Sequence, residues 1–306
     1  MRKQLLTVVL GAATAITGAL AAPAGADPAP PKVVQLGDSY SAGNGARGPS
    51  GNADYDQAVP GCYRSPHNYG GQFAASIGAT YVNAACSGAT TSDILSPDTD
   101  ENQPPQADAV DASADIVLMT MGGNDVGFTN IVVQCFVLRI GDLCKTALQN
   151  AINGVPQMKE QLIAGMTGVR DRMRPDAQFM LVGYPNLTRA ASYQLLTFNG
   201  WYDVKADLAT LMSQGAQAQQ EAVDAVNAAT GTDSTYYVDT VDEAYAGHEI
   251  DQNCLLPRTG DWLWNTAETF VIPETYHPRP AGWTATANEV AAEYAQHPLE
   301  PKSSTP

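Results

Sequence analysis

Basic residues are scarce in this chain: 16 Lys and Arg stand against 32 Asp and Glu, a formal net charge of −16. So acidic a surface repels phosphate backbones, which excludes nucleic acid as a partner and disfavours an anionic bilayer at long range. Long apolar runs are nearly absent too. The one candidate, Leu5 to about Ala21, is short, broken by Thr and Gly, and ends in a Pro/Ala segment, so it does not read as a membrane anchor. It reads instead as an export leader. Arg2 and Lys3 supply the positive start, and Ala24-Gly25-Ala26 offers a small-residue cleavage site before Asp27. No cysteine precedes Cys62, so nothing near that site could carry a lipid. The expectation is a leader over 1–26, release as an extracellular monomer with no stable membrane insertion, one domain over 27–297, and an unpacked tail over 298–306. The 280 residues left after cleavage suffice for one large core, and no internal linker or repeat divides them.

Cysteine is sparse, with five in the chain, but in an exported protein five imply disulfides. Proximity along the chain favours Cys62–Cys86 and Cys135–Cys144. Closing those loops constrains the unfolded chain by about 3.4 and about 2.6 kcal/mol. Cys254 is then left over, as a free thiol.

Strand and helix patterns alternate. Val33 to Leu36, Thr80 to Ala84, Asp115 to Met121, Gln178 to Gly183 and Thr235 to Val238 read as strands, the third apolar throughout its centre as a parallel strand covered on both faces must be. Helical spacing runs over Tyr69 to Ile77, over Ala147 to Met173 with an interruption at Gly154-Val155-Pro156, over Asp203 to Ala229 with Asp203 as N-cap and Gly231 as the C-terminal stop, and over Pro280 to Gln296. Residues 40–66, rich in Gly, Pro, Asn and Ser, read as a long loop. This alternation implies a parallel sheet with helices on both faces, whose ligands gather outside the carboxyl ends of the strands. Three segments directly follow predicted strands: Gly37-Asp38-Ser39, Ala85 to Gly88, and Gly122 to Asp125.

Those segments hold the residue types that acyl transfer requires. A serine hydroxyl attacks only when a base removes its proton, and Ser39 follows a glycine in GDSYSAGNG. The oxyanion that forms needs donors, which the Gly88 amide and the Asn124 side chain could provide. The base must come from His67, His248, His277 or His297. Of these, His277 lies in a proline-stiffened loop, PETYHPRPAGW, just before the last helix. Taken singly, each of these residues also fits an ordinary turn. Taken in order, LGDSYSAGNGA, NAACSGATT, MGGND and a late H-P-x-x-x-G resemble the four blocks of the SGNH/GDSL hydrolases, most of all the secreted actinobacterial lipases and esterases. The resemblance runs from about Lys32 to Tyr294.

The resemblance implies a three-layer α/β/α sandwich with a flavodoxin-like parallel sheet. It further implies a carboxylic ester hydrolase that needs no metal or organic cofactor and acts on small-molecule or lipid esters. Ser39 would be nucleophile and first oxyanion amide, Gly88 the second amide, Asn124 the side-chain donor, and His277 the base. The G-x-S-x-G elbow of the other large esterase fold is absent. One departure concerns the residue three before the histidine: an Asp in many members, here Glu274, expected to orient His277 through its carboxylate or, preferably, its main-chain carbonyl. A base with an unperturbed histidine pKa predicts activity rising through about pH 6–7. The apolar members of three loops, Phe128, Ile131, Val132, Phe136, Trp262 and Trp264, suggest an acyl cleft or simply core.

Other readings fare worse. A metal-dependent phosphoesterase would use Asp38, Asn124 and Asp125 as ligands, but it also needs a D-x-H, which is missing. Gly43 to Gly48 fits G-x-G-x-x-G, yet it opens no helix after a strand. A binding module that kept this fold and lost its chemistry would be expected to have lost Ser39 or His277.

Overall fold

The computed structural model describes residues 29–254, 257–269 and 272–299. The expected leader and most of the expected tail lie outside these. Leu299, at the start of that tail, packs against the core. His297 is likewise docked: its ring stacks 4.2 Å from that of Tyr236.

The strands are β1 (Lys32–Gly37), β2 (Thr80–Asn83), β3 (Ile116–Thr120), β4 (Gln178–Val182), a two-stranded β5 (Gln194–Thr197) and β6 (Gly200–Asp203), and β7 (Thr235–Val238). The helices are α1 (Ser39–Ala42), α2 (Tyr69–Ser76), α3 (Phe128–Ile131), α4 (Gly141–Arg170), α5 (Val204–Thr230), α6 (Val241–Ala244) and α7 (Pro280–Gln296). Five strands form one parallel sheet in the order β2-β1-β3-β4-β7, the flavodoxin-like arrangement. The central strands β3 and β4 are buried at every position, whereas the edge strand β2 alternates between exposed and half-buried residues. The right-handed crossover rule fixes the layers. The connection from β1 to β2 runs one way along the sheet, while those from β3 to β4 and from β4 to β7 run the other. Hence α2 lies on one face and α4 and α5 on the opposite one, and α7 returns to pack on α2.

Local chemistry sets the helix ends. Asn68 caps α2 by accepting from the Gly71 N–H at 2.8 Å. Asp203 caps α5 by accepting from the Ala206 N–H, and Gly231 ends that helix in a left-handed conformation. The expected break at Gly154-Val155-Pro156 does not occur: α4 is continuous through Pro156 and begins six residues earlier than its pattern suggested. Pro156 is exposed, so its ring meets solvent. Leu148, Val155, Met158, Leu162, Met166 and Val169 line the opposite, buried side. Burying such side chains contributes about 1.5–3 kcal/mol each, which outweighs the roughly 3 kcal/mol cost of an interior proline. The expected long loop over 40–66 begins with the helical turn α1, and the β5–β6 hairpin fills a stretch for which no element was expected.

The carboxyl ends of β1 and β3 flank the point where strand order reverses, and the loops that follow them form the site.

Candidate active site

The turn after β1 is built around one glycine. Gly37 has φ +121°, and a Cβ there would sit 2.3 Å from the Thr120 carbonyl, so no other residue fits. The Gln106 side chain accepts from the Gly37 N–H at 2.6 Å and donates to its carbonyl at 2.9 Å, holding the strand end from outside the sheet. Asp38 then caps α1 by accepting from the Tyr40 N–H at 2.9 Å, which makes Ser39 the first helical residue. Ser41, one turn face away, accepts from the Thr120 N–H at 2.8 Å and pins α1 to β3.

His277 Nε2 lies 2.6 Å from Ser39 Oγ. Its Nδ1 lies 3.0 Å from the Thr275 carbonyl. A carbonyl can only accept, so Nδ1 carries the proton and Nε2 is left as the acceptor for the serine hydroxyl. Burial pushes the His277 pKa down to about 4, partly opposed by the Thr275 hydrogen bond and the charge of Glu274. The ring is therefore neutral at ordinary pH, and the expected onset at pH 6–7 moves down with it.

Between these two residues, Tyr276 has φ +64°, an uncommon conformation for a large side chain. Several contacts hold it there. Tyr40 donates its hydroxyl to the Tyr276 carbonyl, Tyr276 donates to Gln252 Oε1 at 2.9 Å, and its ring stacks on Phe136 at 4.9 Å. Such overdetermined strain typifies a functional loop.

Glu274 does not orient the histidine, which corrects the expectation for both of its groups. Its carboxylate takes Arg47 at 2.6 and 3.1 Å, the Tyr55 hydroxyl at 2.5 Å and Thr269 at 3.1 Å. Its carbonyl accepts the backbone N–H of His277 rather than the ring. Burial alone would raise the Glu274 pKa, but the Arg47 and Tyr55 hydrogen bonds hold it below the ordinary range. The reason is geometric: the chain turns so tightly before His277 that the nearest acceptor to Nδ1 is a backbone oxygen two residues away.

Gly88 follows β2 with φ +88° and open space where a Cβ would lie. Its loop is fastened by the Cys62–Cys86 disulfide and by the Cys86 N–H donating to the Gly37 carbonyl at 3.0 Å. Asn124 follows β3 and donates through Nδ2 to the Ala89 carbonyl at 2.9 Å, which sets its amide beside the Gly88 loop. Asp125 accepts from both the backbone N–H and the hydroxyl of Thr91. The three strand-end segments and the His277 loop are thus drawn together. Asn44 completes the link by donating to Ser87 Oγ at 2.9 Å and to the Pro273 carbonyl at 2.8 Å.

The remaining histidines lie elsewhere: His67 meets Asp54, and His248 bonds the Gly260 carbonyl and stacks on Trp262. Asp38, a ligand in the phosphoesterase reading, instead accepts from Tyr184 and Tyr40. The glycines of the G-x-G-x-x-G match serve packing, for a Cβ on Gly45 would meet Trp264 at 2.5 Å. Cys135 and Cys144 form the second disulfide, and Cys254 is in neither.

Sequence reasoning passed over Thr275, Asn44 and Tyr184. Thr275 acts through its carbonyl, which no side-chain pattern can mark. Tyr184 had one signal, its place two residues past the end of β4. Its hydroxyl donates to Asp38 and accepts from the Gly123 N–H at 2.9 Å, so it bridges the Ser39 and Asn124 turns.

A cavity of about 480 Å3 opens beside the site, lined by Tyr40, Met121, Phe128, Ile131, Met158 and Leu208 among others. The Phe128 ring lies 5.9 Å from that of His277, so the cavity adjoins the Ser39–His277 pair. Of the six residues suggested for an acyl cleft, Phe128 and Ile131 line it. Val132, Phe136, Trp262 and Trp264 do not.

A parallel α/β sheet whose switch point carries a serine against a neutral, backbone-oriented histidine defines a class, that of α/β proteins with a serine–histidine pair at the carboxyl ends of their strands. Comparison with known sequences narrows it: over residues 36–285 the chain matches, and belongs to, the GDSL-like lipase/acylhydrolase family. It is 29% identical over 254 residues to a lipase of Streptomyces rimosus, covering 81% of each chain. The crystal structure of the extracellular lipase from S. rimosus is similar at 25% identity and a TM-score of 0.64, covering 86% of this chain and 99% of that one. Phospholipase A1 from Streptomyces albidoflavus NA297 matches at 25% identity and a TM-score of 0.65, again over 86% and 99%. The chain is a carboxylic ester hydrolase with the α/β fold of these lipases. No helix among the described residues is long and apolar enough to cross a membrane.

Proposed function

We propose that this protein is exported, loses residues 1–26, and hydrolyses lipid esters outside the cell through an acyl-serine intermediate. The observation that carries the mechanism is the 2.6 Å contact between Ser39 Oγ and His277 Nε2, with Nδ1 committed to the Thr275 carbonyl. His277 takes the serine proton as Oγ attacks the ester carbonyl. The Ser39 and Gly88 amides and the Asn124 side chain hold the oxyanion. As the tetrahedral adduct collapses, the C–O bond to the alcohol breaks and His277 Nε2 returns the proton to that alcohol. A water, deprotonated by His277, then attacks the acyl-serine and releases the acid and a free Ser39.

The substrate class follows from the cavity. A largely apolar space of about 480 Å3 next to the histidine accommodates an extended acyl chain, and an acetyl group would leave most of it empty. A relative named as a phospholipase A1 supports the same reading.

The test is hydrolysis of p-nitrophenyl esters from acetyl to palmitoyl by wild type and Ser39→Ala, with EDTA present. Turnover that survives EDTA, vanishes in Ser39→Ala and peaks beyond the shortest chains is expected. No turnover on any chain length would favour a binding module on this fold. Loss with EDTA would reopen a metal-dependent reaction.

A further inference from the structure

Nine large apolar side chains are exposed among the described residues, and seven of them gather in one place: Val137, Leu138, Ile140, Leu143, Leu196, Phe198 and Trp201. They come from two segments. The first is the loop closed by the Cys135–Cys144 disulfide, and the second is the β5–β6 hairpin. The segments touch directly, since a Cβ on Gly141 would lie 2.2 Å from the Leu196 carbonyl. The Phe198 N–H donates to Asp142 Oδ2 at 2.9 Å, which ties the hairpin tip to the start of α4.

A hairpin facing water should alternate, with apolar side chains inward and polar ones outward. Here the inward pair is Leu195 with Tyr202, yet the outward pair is Leu196 with Trp201. At the tip, Phe198 is 94% exposed, and Trp201 is 72% exposed. No requirement of the fold explains an aromatic at each of these positions, and exposed apolar patches of this kind mark interaction surfaces.

We propose that this surface inserts into an electrically neutral lipid–water interface and so holds the active-site cavity against its substrate; the inference rests on the lipid-ester reading above. Three observations select that occupant. First, both segments run into the cavity wall: Phe128 and Ile131 precede the disulfide loop, and Lys205 and Leu208 follow the hairpin. Second, the local cations are turned onto rings, Arg139 over Tyr193 and Lys145 over Tyr202, and the whole chain carries a charge of −16, so attraction to anionic headgroups is weak. Third, a stable protein partner needs about 20–30 residues on each side. Seven side chains on a tip and rim fall short of that, whereas a fluid interface requires no shape match. Tryptophan and phenylalanine are the side chains that settle at such a boundary.

The experiment uses the mature protein carrying Ser39→Ala, so that lipid is not consumed, with and without Phe198→Ser and Trp201→Ser together. Flotation with phosphatidylcholine vesicles should recover the parent at low and at high salt, and about tenfold less of the double variant. Val82→Ser, at an exposed apolar site elsewhere, should float like the parent. With Ser39 restored, the double variant should keep its turnover of soluble p-nitrophenyl butyrate and lose about tenfold on emulsified long-chain ester. In the parent, brominated phosphatidylcholine should quench a tryptophan signal that is absent from Trp201→Phe. Equal flotation of parent and double variant, or none by either, overturns the proposal. So does sedimentation of the parent as a dimer that the double variant splits while vesicle binding is unchanged. Absence of turnover on the soluble ester would count against the hydrolase reading alone, because flotation reads the surface without catalysis.

Discussion

His277 shows how much one buried ring can depart from its free behaviour. An imidazole in water titrates near pH 6.5, and this one is pushed down to about 4 by desolvation. Since the base must be neutral, kcat/KM on a soluble ester should stay level down to about pH 5 and fall as the pH drops through about 4. A fall centred near 6.5 would mean that the ring is hydrated in solution and would refute the assignment of this environment. At the neighbouring Glu274, the carboxylate holds Arg47 and Tyr55 rather than the histidine. Glu274→Gln should therefore leave kcat within about threefold of wild type while lowering stability by about 1–3 kcal/mol, read from urea unfolding. A loss of several powers of ten in kcat would restore the carboxylate to a catalytic part. The proposed oxyanion role of Asn124 has its own signature: Asn124→Ala should cost about 2.7–4 kcal/mol of transition-state stabilisation, seen mainly in kcat.

Among elements, the site depends on turns that belong to different strands staying in register. Tyr184, on the loop after β4, bridges the turn after β1 to the turn after β3 through Asp38 and the Gly123 N–H. Tyr184→Phe leaves that N–H and the Asp38 carboxyl each short of a partner. The expected result is a drop of about ten- to a hundredfold in kcat with KM little changed, since the ring that lines the cavity remains. A raised KM at constant kcat would instead mark Tyr184 as a wall of the cavity only. Element by element, the five strands of the parallel sheet were legible because each is a short apolar run stopped by polar or glycine residues, whereas the β5–β6 hairpin, apolar on both faces, showed no such alternation. The caps at Asp203 and Gly231 were legible because capping chemistry is local. The continuity of α4 through Pro156 was not, because it depends on what the helix packs against.

At the scale of the whole molecule, two buried groups set opposing pH dependences. Burial raises Asp38 from 3.8 to about 7, with hydrogen bonds from Tyr184 and Tyr40 opposing it, while burial lowers His277 from 6.5 to about 4. Between about pH 4 and 6.5 the unfolded chain has lost a proton at Asp38 and holds one at His277, and the folded chain does the reverse. The proton counts match, so the two contributions cancel. Single variants should expose them. Relative to wild type, Asp38→Asn should gain stability as pH rises from 4 to 7, and His277→Gln should lose it, each by at most about 1.4 kcal/mol per pH unit. Urea midpoints at several pH values would test this, and difference curves of the same slope would show that one of the two groups is not buried as described.

The sequence by itself determined the alternation of the sheet strands with helices, favoured the two disulfide pairings, and marked which serine and histidine to watch. Each of these depends on local patterns, on chain proximity or on motifs whose residue types are dictated by a turn or a reaction. Only the tertiary structure decided that a Thr275 carbonyl faces His277, that Glu274 serves Arg47, that Phe128 but not Trp264 lines the cavity, and that seven apolar side chains meet on one surface. Those facts rest on backbone atoms, which carry no sequence signature, and on contacts between segments far apart in the chain, which exist only once the sheet has brought the strand ends together.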